Sequence, residues 1–126
     1  MALINSNKIN LKASTDVSKA SWYPINKLPP LAFDHKNILN YALKRLKWKF
    51  EYTTVAFSLL PAKFTLSNIQ DIYEIVFGKK FDKRNFRKKL LYLNILKEEE
   101  IYRDVSFRPP KMYSLKKDVA EIVGIL

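Results

Sequence analysis

Gly78 constrains this chain more than any other residue. It is one of only two glycines in 126 residues, and it stands between two stretches of helical periodicity. Upstream, Leu66, Ile69, Ile72, Tyr73 and Val76 recur at the spacing of a buried helix face. Downstream, Asp82 is a helix-starting residue, and Phe86, Leu90 and Leu93 recur at i, i+4 and i+7. A glycine at that junction stops the first helix in the left-handed conformation other residues avoid. Four residues, Gly78–Phe81, are then left for the turn. A turn so short makes the two helices direct neighbours.

The flanking chain extends this unit in a definite order. Asp34 is placed to start a helix over about residues 35 to 50, with Ile38, Leu39, Ala42, Leu43, Leu46 and Phe50 on one side. Tyr52–Leu60 reads as a short buried helix closed by Pro61, and Phe64–Leu66 as a short extended segment with Thr65 or Ser67 as the next cap. After Leu93, Ile95–Arg103 and Lys111–Leu115 are β-compatible runs around the turn-forming DVSFRPP, so a hairpin is expected. A last helix is expected over about Lys117–Ile122. Helix, tight turn, helix and hairpin make a winged helix-turn-helix. The fold class is therefore mainly α with a small β-hairpin wing (α+β), preceded by an N-terminal extended arm.

Residues 1–33 differ from residues 34–126. They offer two short β-like runs, Ala2–Ile4 and Lys8–Lys12, then a polar segment and the proline-rich SWYPINKLPPLAF. Pro24, Pro29 and Pro30 forbid a helix there and suit an extended connector pinned by Trp22 and Tyr23. The sequence divides accordingly into an arm, 1–33, and a winged helix-turn-helix domain, 34–126.

Charge supplies the functional reading. The chain carries 23 Lys and Arg against 12 Asp and Glu, a net charge of +11. Residues 78–97 hold Lys79, Lys80, Lys83, Arg84, Arg87, Lys88, Lys89 and Lys97 against Asp82 alone, a net +7. A cationic field concentrated on the second helix of such a pair defines a docking face for a polyanion. Double-stranded DNA is the expected partner. Arg84 and Arg87, three apart on one helix face, are candidates for guanine edges, and Asn85 for adenine. Lys79, Lys80, Lys83 and Lys88 are candidates for phosphate contacts, and Arg108 at the wing turn for the minor groove. A solvated basic face is the competing reading for the helix alone. A loop arginine stacked on Tyr113 or Phe107 is the competing reading for Arg108.

Enzymatic chemistry finds little support. Two glycines cannot build a P-loop or a dinucleotide loop. The lone His35, with no cysteine, leaves zinc without ligands, so no catalytic residue, metal or cofactor is expected. Glu98, Glu99 and Glu100 alternate along a strand rather than converge, and read as a solvated strand edge. The absence of cysteine fits a reducing cytoplasm. No run approaches the ~20 apolar residues of a membrane span, and no signal peptide is recognisable.

The segments LPPLAFDHKNIL, LLPAKFTLSNIQDIYEIVFGKKFDKRNFRKKLL and RPPKMYSL together resemble Nudix-related transcriptional regulators. The resemblance covers nearly the whole chain and is strongest from Leu28 to Leu115. It implies a bacterial regulator, a repressor of NAD- or sugar-related genes, binding operator DNA as a homodimer. It also implies response to an ADP-ribose-like effector held in a Nudix domain. The Nudix box is absent here, so residues 1–33 are expected to be the remnant of such a domain's C-terminal end. The effector applies only if the missing domain is present. Phe107 stands where the family often has glycine before Arg-Pro. The alternatives are a C-terminal fragment of a Nudix hydrolase acting on ADP-ribose-like nucleoside diphosphates, or a dimerisation module.

Overall fold

The computed structural model describes residues 4, 6, 9–12, 19–99, 109–120 and 123–126. Its elements follow in the order α1 (His35–Tyr52), a 3₁₀ turn (Val55–Leu59), α2 (Leu66–Phe77), α3 (Lys83–Tyr92), β1 (Leu96–Glu99) and β2 (Met112–Leu115). The chain divides into two compact units, Met1–Lys44 and Arg45–Leu126.

In the first unit, residues 19–32 run without helix or strand apart from a turn at 25–27, where Lys27 N donates to the Pro24 carbonyl at 3.0 Å. The stretch is free of helix, as its prolines require, but Trp22 and Tyr23, expected to pin it, are 54% and 51% exposed. Ile25, Leu28 and Leu31 line a shallow groove together with Leu39 and Leu43 of α1. The expected β-like runs differ from the structure. Residues 9–12 form no strand, and residues 2, 3 and 8 lie outside the described residues. Among the described residues none pairs with 9–12, and alternating polarity alone does not hold a strand.

The second unit is built around α2. Its start is a capping box: Thr65 Oγ1 accepts from Asn68 N at 3.1 Å, and Asn68 Oδ1 accepts from Thr65 N at 3.0 Å. Its end is Gly78, at φ 66°, whose N–H donates to the Glu74 carbonyl at 2.9 Å. Between these caps Leu66, Ile69 and Tyr73 are buried. The Tyr73 ring lies 5.3 Å from Phe50 of α1 and 5.5 Å from Phe86 of α3 and stacks parallel on Phe77 at 6.2 Å. One aromatic ring thus joins three helices. Contacts of this kind add ~0.5–1.5 kcal/mol each beyond the area they bury.

The tyrosine also completes the end of α1. The last four carbonyls of a helix have no partner within it. Here each finds one. The Lys49 carbonyl accepts from Thr53 N and Oγ1, and the Phe50 carbonyl from the Tyr73 hydroxyl at 2.8 Å. The Glu51 carbonyl accepts from Ile125 N at 2.7 Å and Leu126 N at 3.1 Å, and the Tyr52 carbonyl from Val123 N at 2.9 Å. This accounts for two departures from expectation. The helix expected over Lys117–Ile122 is replaced by a turn at Lys117–Asp118 and irregular chain at 119–120, with residues 121–122 outside the described set. Six residues are too few to stabilise a helix alone, and the N–H groups that follow serve α1 instead. The short helix expected at Tyr52–Leu60 splits: α1 runs on to Tyr52, Thr53 ends it, and only a 3₁₀ turn follows.

The wing is antiparallel, with Leu96 opposite Leu115 and Glu99 opposite Met112. Phe64 extends it from the other side of β2, exchanging two backbone bonds with Tyr113, at 2.9 and 2.7 Å. Phe64 and Tyr113 are both buried, so the hairpin is tied to the chain just before α2. The rest of the expected first strand, residues 100–103, lies outside the described residues.

Candidate nucleic-acid interface

The turn between α2 and α3 is fixed through both backbone groups of one residue, Phe81. Gln70, the one buried polar residue of the described core, donates from Nε2 to the Phe81 carbonyl at 3.0 Å. Glu74, one helical turn on, accepts from Phe81 N at 2.8 Å. Asp82 then caps α3, its Oδ1 accepting from Asn85 N at 2.8 Å. A glycine stop, a two-point clamp and an aspartate cap therefore set the angle of α3 within five residues. Gln70 and Glu74 are positioning residues that periodicity does not reveal, because both look like ordinary polar members of a helix.

On α3, Phe86 and Leu90 face the core. Arg84, Asn85 and Lys88 are exposed, as is Lys83 at the helix start. Lys79 sits over the Phe81 ring at 5.4 Å, and the exposed Lys80 lies 3.7 Å from the largely buried carboxylate of Glu74. The Lys80 side chain stays open to other anions. These seven residues, Arg87 included, come from one turn and one helix, so the structure gathers them on adjacent surface. Arg108 lies outside the described residues.

Arg87 is placed differently from Arg84. It is half-buried, and its Nη2 donates to Ser67 Oγ, in the first turn of α2, at 2.9 Å. Its Nε is buried without a hydrogen-bond partner. Thus the i, i+3 spacing does not give two equivalent outward arginines. Arg84 projects from the helix, and Arg87 bridges α3 to α2. Ser67 carries no signal in the sequence that would announce this contact, since its partner is twenty residues away.

Two glutamates of β1 have partners on β2 or beside it. Glu98 Oε1 accepts from Lys111 Nζ at 3.1 Å, and Glu99 Oε1 from Ser114 Oγ at 2.6 Å. The Ser114 hydrogen bond, with help from Lys97 and Lys63, holds the Glu99 carboxyl below its ordinary pKa. Glu98 remains exposed at the strand edge, as expected, while Glu99 is half-buried and hydrogen-bonded across the strand pair.

Similarity to known proteins agrees with this arrangement. Residues 56–115 match the NrtR DNA-binding winged helix domain. The described residues in that span, α2, α3 and the β1–β2 hairpin, have the order of a winged helix. The ADPR responsive transcriptional repressor NtrR of Acinetobacter baylyi is 37% identical over 83 residues, covering 66% of this chain and 33% of the repressor. The solved structure of Shewanella oneidensis NrtR complexed with a 27mer DNA superposes with a TM-score of 0.59 at 33% identity, covering 75% of this chain and 43% of that one. Another structure of Shewanella oneidensis NrtR gives a TM-score of 0.60 at 28% identity over 82% of this chain and 48% of that one. The chain spans about a third of the length of the curated relative and under half of each solved chain. Among the described residues no helix is long and apolar enough to cross a membrane.

Proposed function

We propose that this chain binds double-stranded DNA sequence-specifically through α3, as the output domain of a transcriptional repressor. The observation that carries the reading is the cationic outward face of α3, held at a fixed angle by Gln70, Glu74 and Asp82. In this reading Arg84 meets a base edge. Arg87, already bound to Ser67, turns its remaining donors to a phosphate beside the start of α2. Lys79, Lys80, Lys83 and Lys88 meet phosphates, and Asn85 an adenine. The proteins it resembles include a repressor named for its response to ADPR and an NrtR crystallised with DNA. By that likeness we read this chain as part of a non-enzymatic, cytoplasmic regulator acting as a homodimer on NAD- or sugar-related genes. An ADP-ribose-like effector enters only with a Nudix domain.

The test is selection of a preferred duplex from a randomised pool by this chain, followed by titration of variants. Arg84→Ala should cost ~1–3 kcal/mol and relax preference at one base pair. Lys83→Ala should weaken binding to all duplexes and reduce the salt slope by about one. An Arg84→Ala protein with unchanged affinity and preference would refute the assignment of the base contact. Absence of any enriched duplex would refute the function.

A further inference from the structure

The outward face of α3 does not end with its cations. Arg84, Lys88 and Tyr92 follow at i, i+4 and i+8, and so lie along one stripe opposite the buried Phe86 and Leu90. Tyr92 is 87% exposed and its neighbour Leu91 is 48% exposed. Tyr92 does not continue the buried face of Phe86 and Leu90, and the side chain lies almost wholly in solvent. An exposed tyrosine and leucine at the end of a strongly cationic stripe are poorly placed for packing. They are well placed to follow the cations onto whatever the cations meet.

We propose that Leu91 and Tyr92 are specificity residues that contact thymine methyl groups at the end of the site away from Arg84. The proposal rests on the DNA-reading role of α3 given above. Two arguments select this occupant. Arg84 and Lys88 on the same stripe commit the face to a polyanion, and the apolar group that a duplex presents in its major groove is the thymine C5-methyl. The distances also agree. Arg84 and Tyr92 are eight residues apart, ~12 Å along the helix axis, which corresponds to roughly three to four base-pair steps at ~3.4 Å each. The first turn of α3 and its last turn would then read different base pairs of one half-site, the first through guanidinium donors and the last through apolar contact.

The experiment uses the full chain and the duplex it selects from a randomised pool. Each thymidine of that duplex is replaced in turn by deoxyuridine, which removes only the methyl group. Wild type is expected to lose affinity by about threefold to fivefold at one or two thymines three to four base pairs from the step sensitive to Arg84→Ala. Leu91→Ala/Tyr92→Ala should bind the thymidine and deoxyuridine duplexes equally. Tyr92→Phe, which keeps the ring, should retain the discrimination. Both side chains are exposed enough that a circular dichroism melt should stay near that of wild type. A selected duplex with no deoxyuridine penalty at any position would overturn the proposal while leaving DNA binding by α3 intact. So would a penalty that persists unchanged in the double variant, or a change in oligomeric state as the only effect of that variant. Failure of any duplex to enrich would remove the DNA-reading premise and the proposal with it.

Discussion

Replacing Tyr73 by phenylalanine removes one oxygen from the centre of the second unit and leaves its ring contacts in place. The hydroxyl is the donor to the Phe50 carbonyl in the last turn of α1, at 2.8 Å and buried. Without it that carbonyl is an unsatisfied acceptor, at a cost of ~1–2 kcal/mol. The rings at 5.3, 5.5 and 6.2 Å remain, so the variant should fold, with Tm lowered by about 4–8 °C for each kcal/mol lost. The pH dependence supplies a second, independent sign. Burial holds the Tyr73 phenol well above its ordinary pKa. A group raised in the folded state contributes stability that is fully present below its unfolded pKa, near 10 for tyrosine, and that is lost above it. Wild type should therefore lose ~1.4 kcal/mol per pH unit above pH 10 through Tyr73, and Tyr73→Phe should not. Urea melts of both proteins at pH 7, 9, 10 and 11 measure this. The gap should hold to about pH 9 and close near pH 11. Equal stabilities at pH 7, or a gap that stays constant to pH 11, would refute the account of Tyr73 as donor.

Other expectations follow from the same contacts. Gly78→Ala meets nothing within 4 Å of the added Cβ, so its cost, ~1–2 kcal/mol by urea melt, should come from the left-handed backbone alone. Asp82→Ala should cost ~1 kcal/mol through the lost cap, with Asp82→Asn recovering most of it. Deleting Val123–Leu126 should expose the Glu51 and Tyr52 carbonyls and the buried Ile125, and hydrogen exchange should show the last turn of α1 opening first.

The features legible in the sequence are those written locally. Gly78 and Asp82 mark their ends because a left-handed stop and an N-cap depend on a few neighbouring residues. The buried faces of α2 and α3 follow from spacing, and the hairpin from two β-compatible runs around a turn. What escaped depends on partners distant in the chain. The fate of Arg87 is decided by Ser67, and that of residues 117–126 by the carbonyls of Glu51 and Tyr52. Asn94 ends α3 at φ 56° and accepts from Lys116 Nζ at 2.8 Å. It is a left-handed asparagine that the pattern of apolar residues passes over. In the same way the clamp on Phe81 uses Gln70 and Glu74, which are seven to eleven residues away from it.

The central claim, that the outward face of α3 is the surface that meets DNA, is tested most directly by mapping backbone amide shifts on addition of the selected duplex. Changes should concentrate in residues 79–92 and at Ser67, and should fade as salt is raised. Perturbations confined to residues 35–52, with α3 silent, would contradict it.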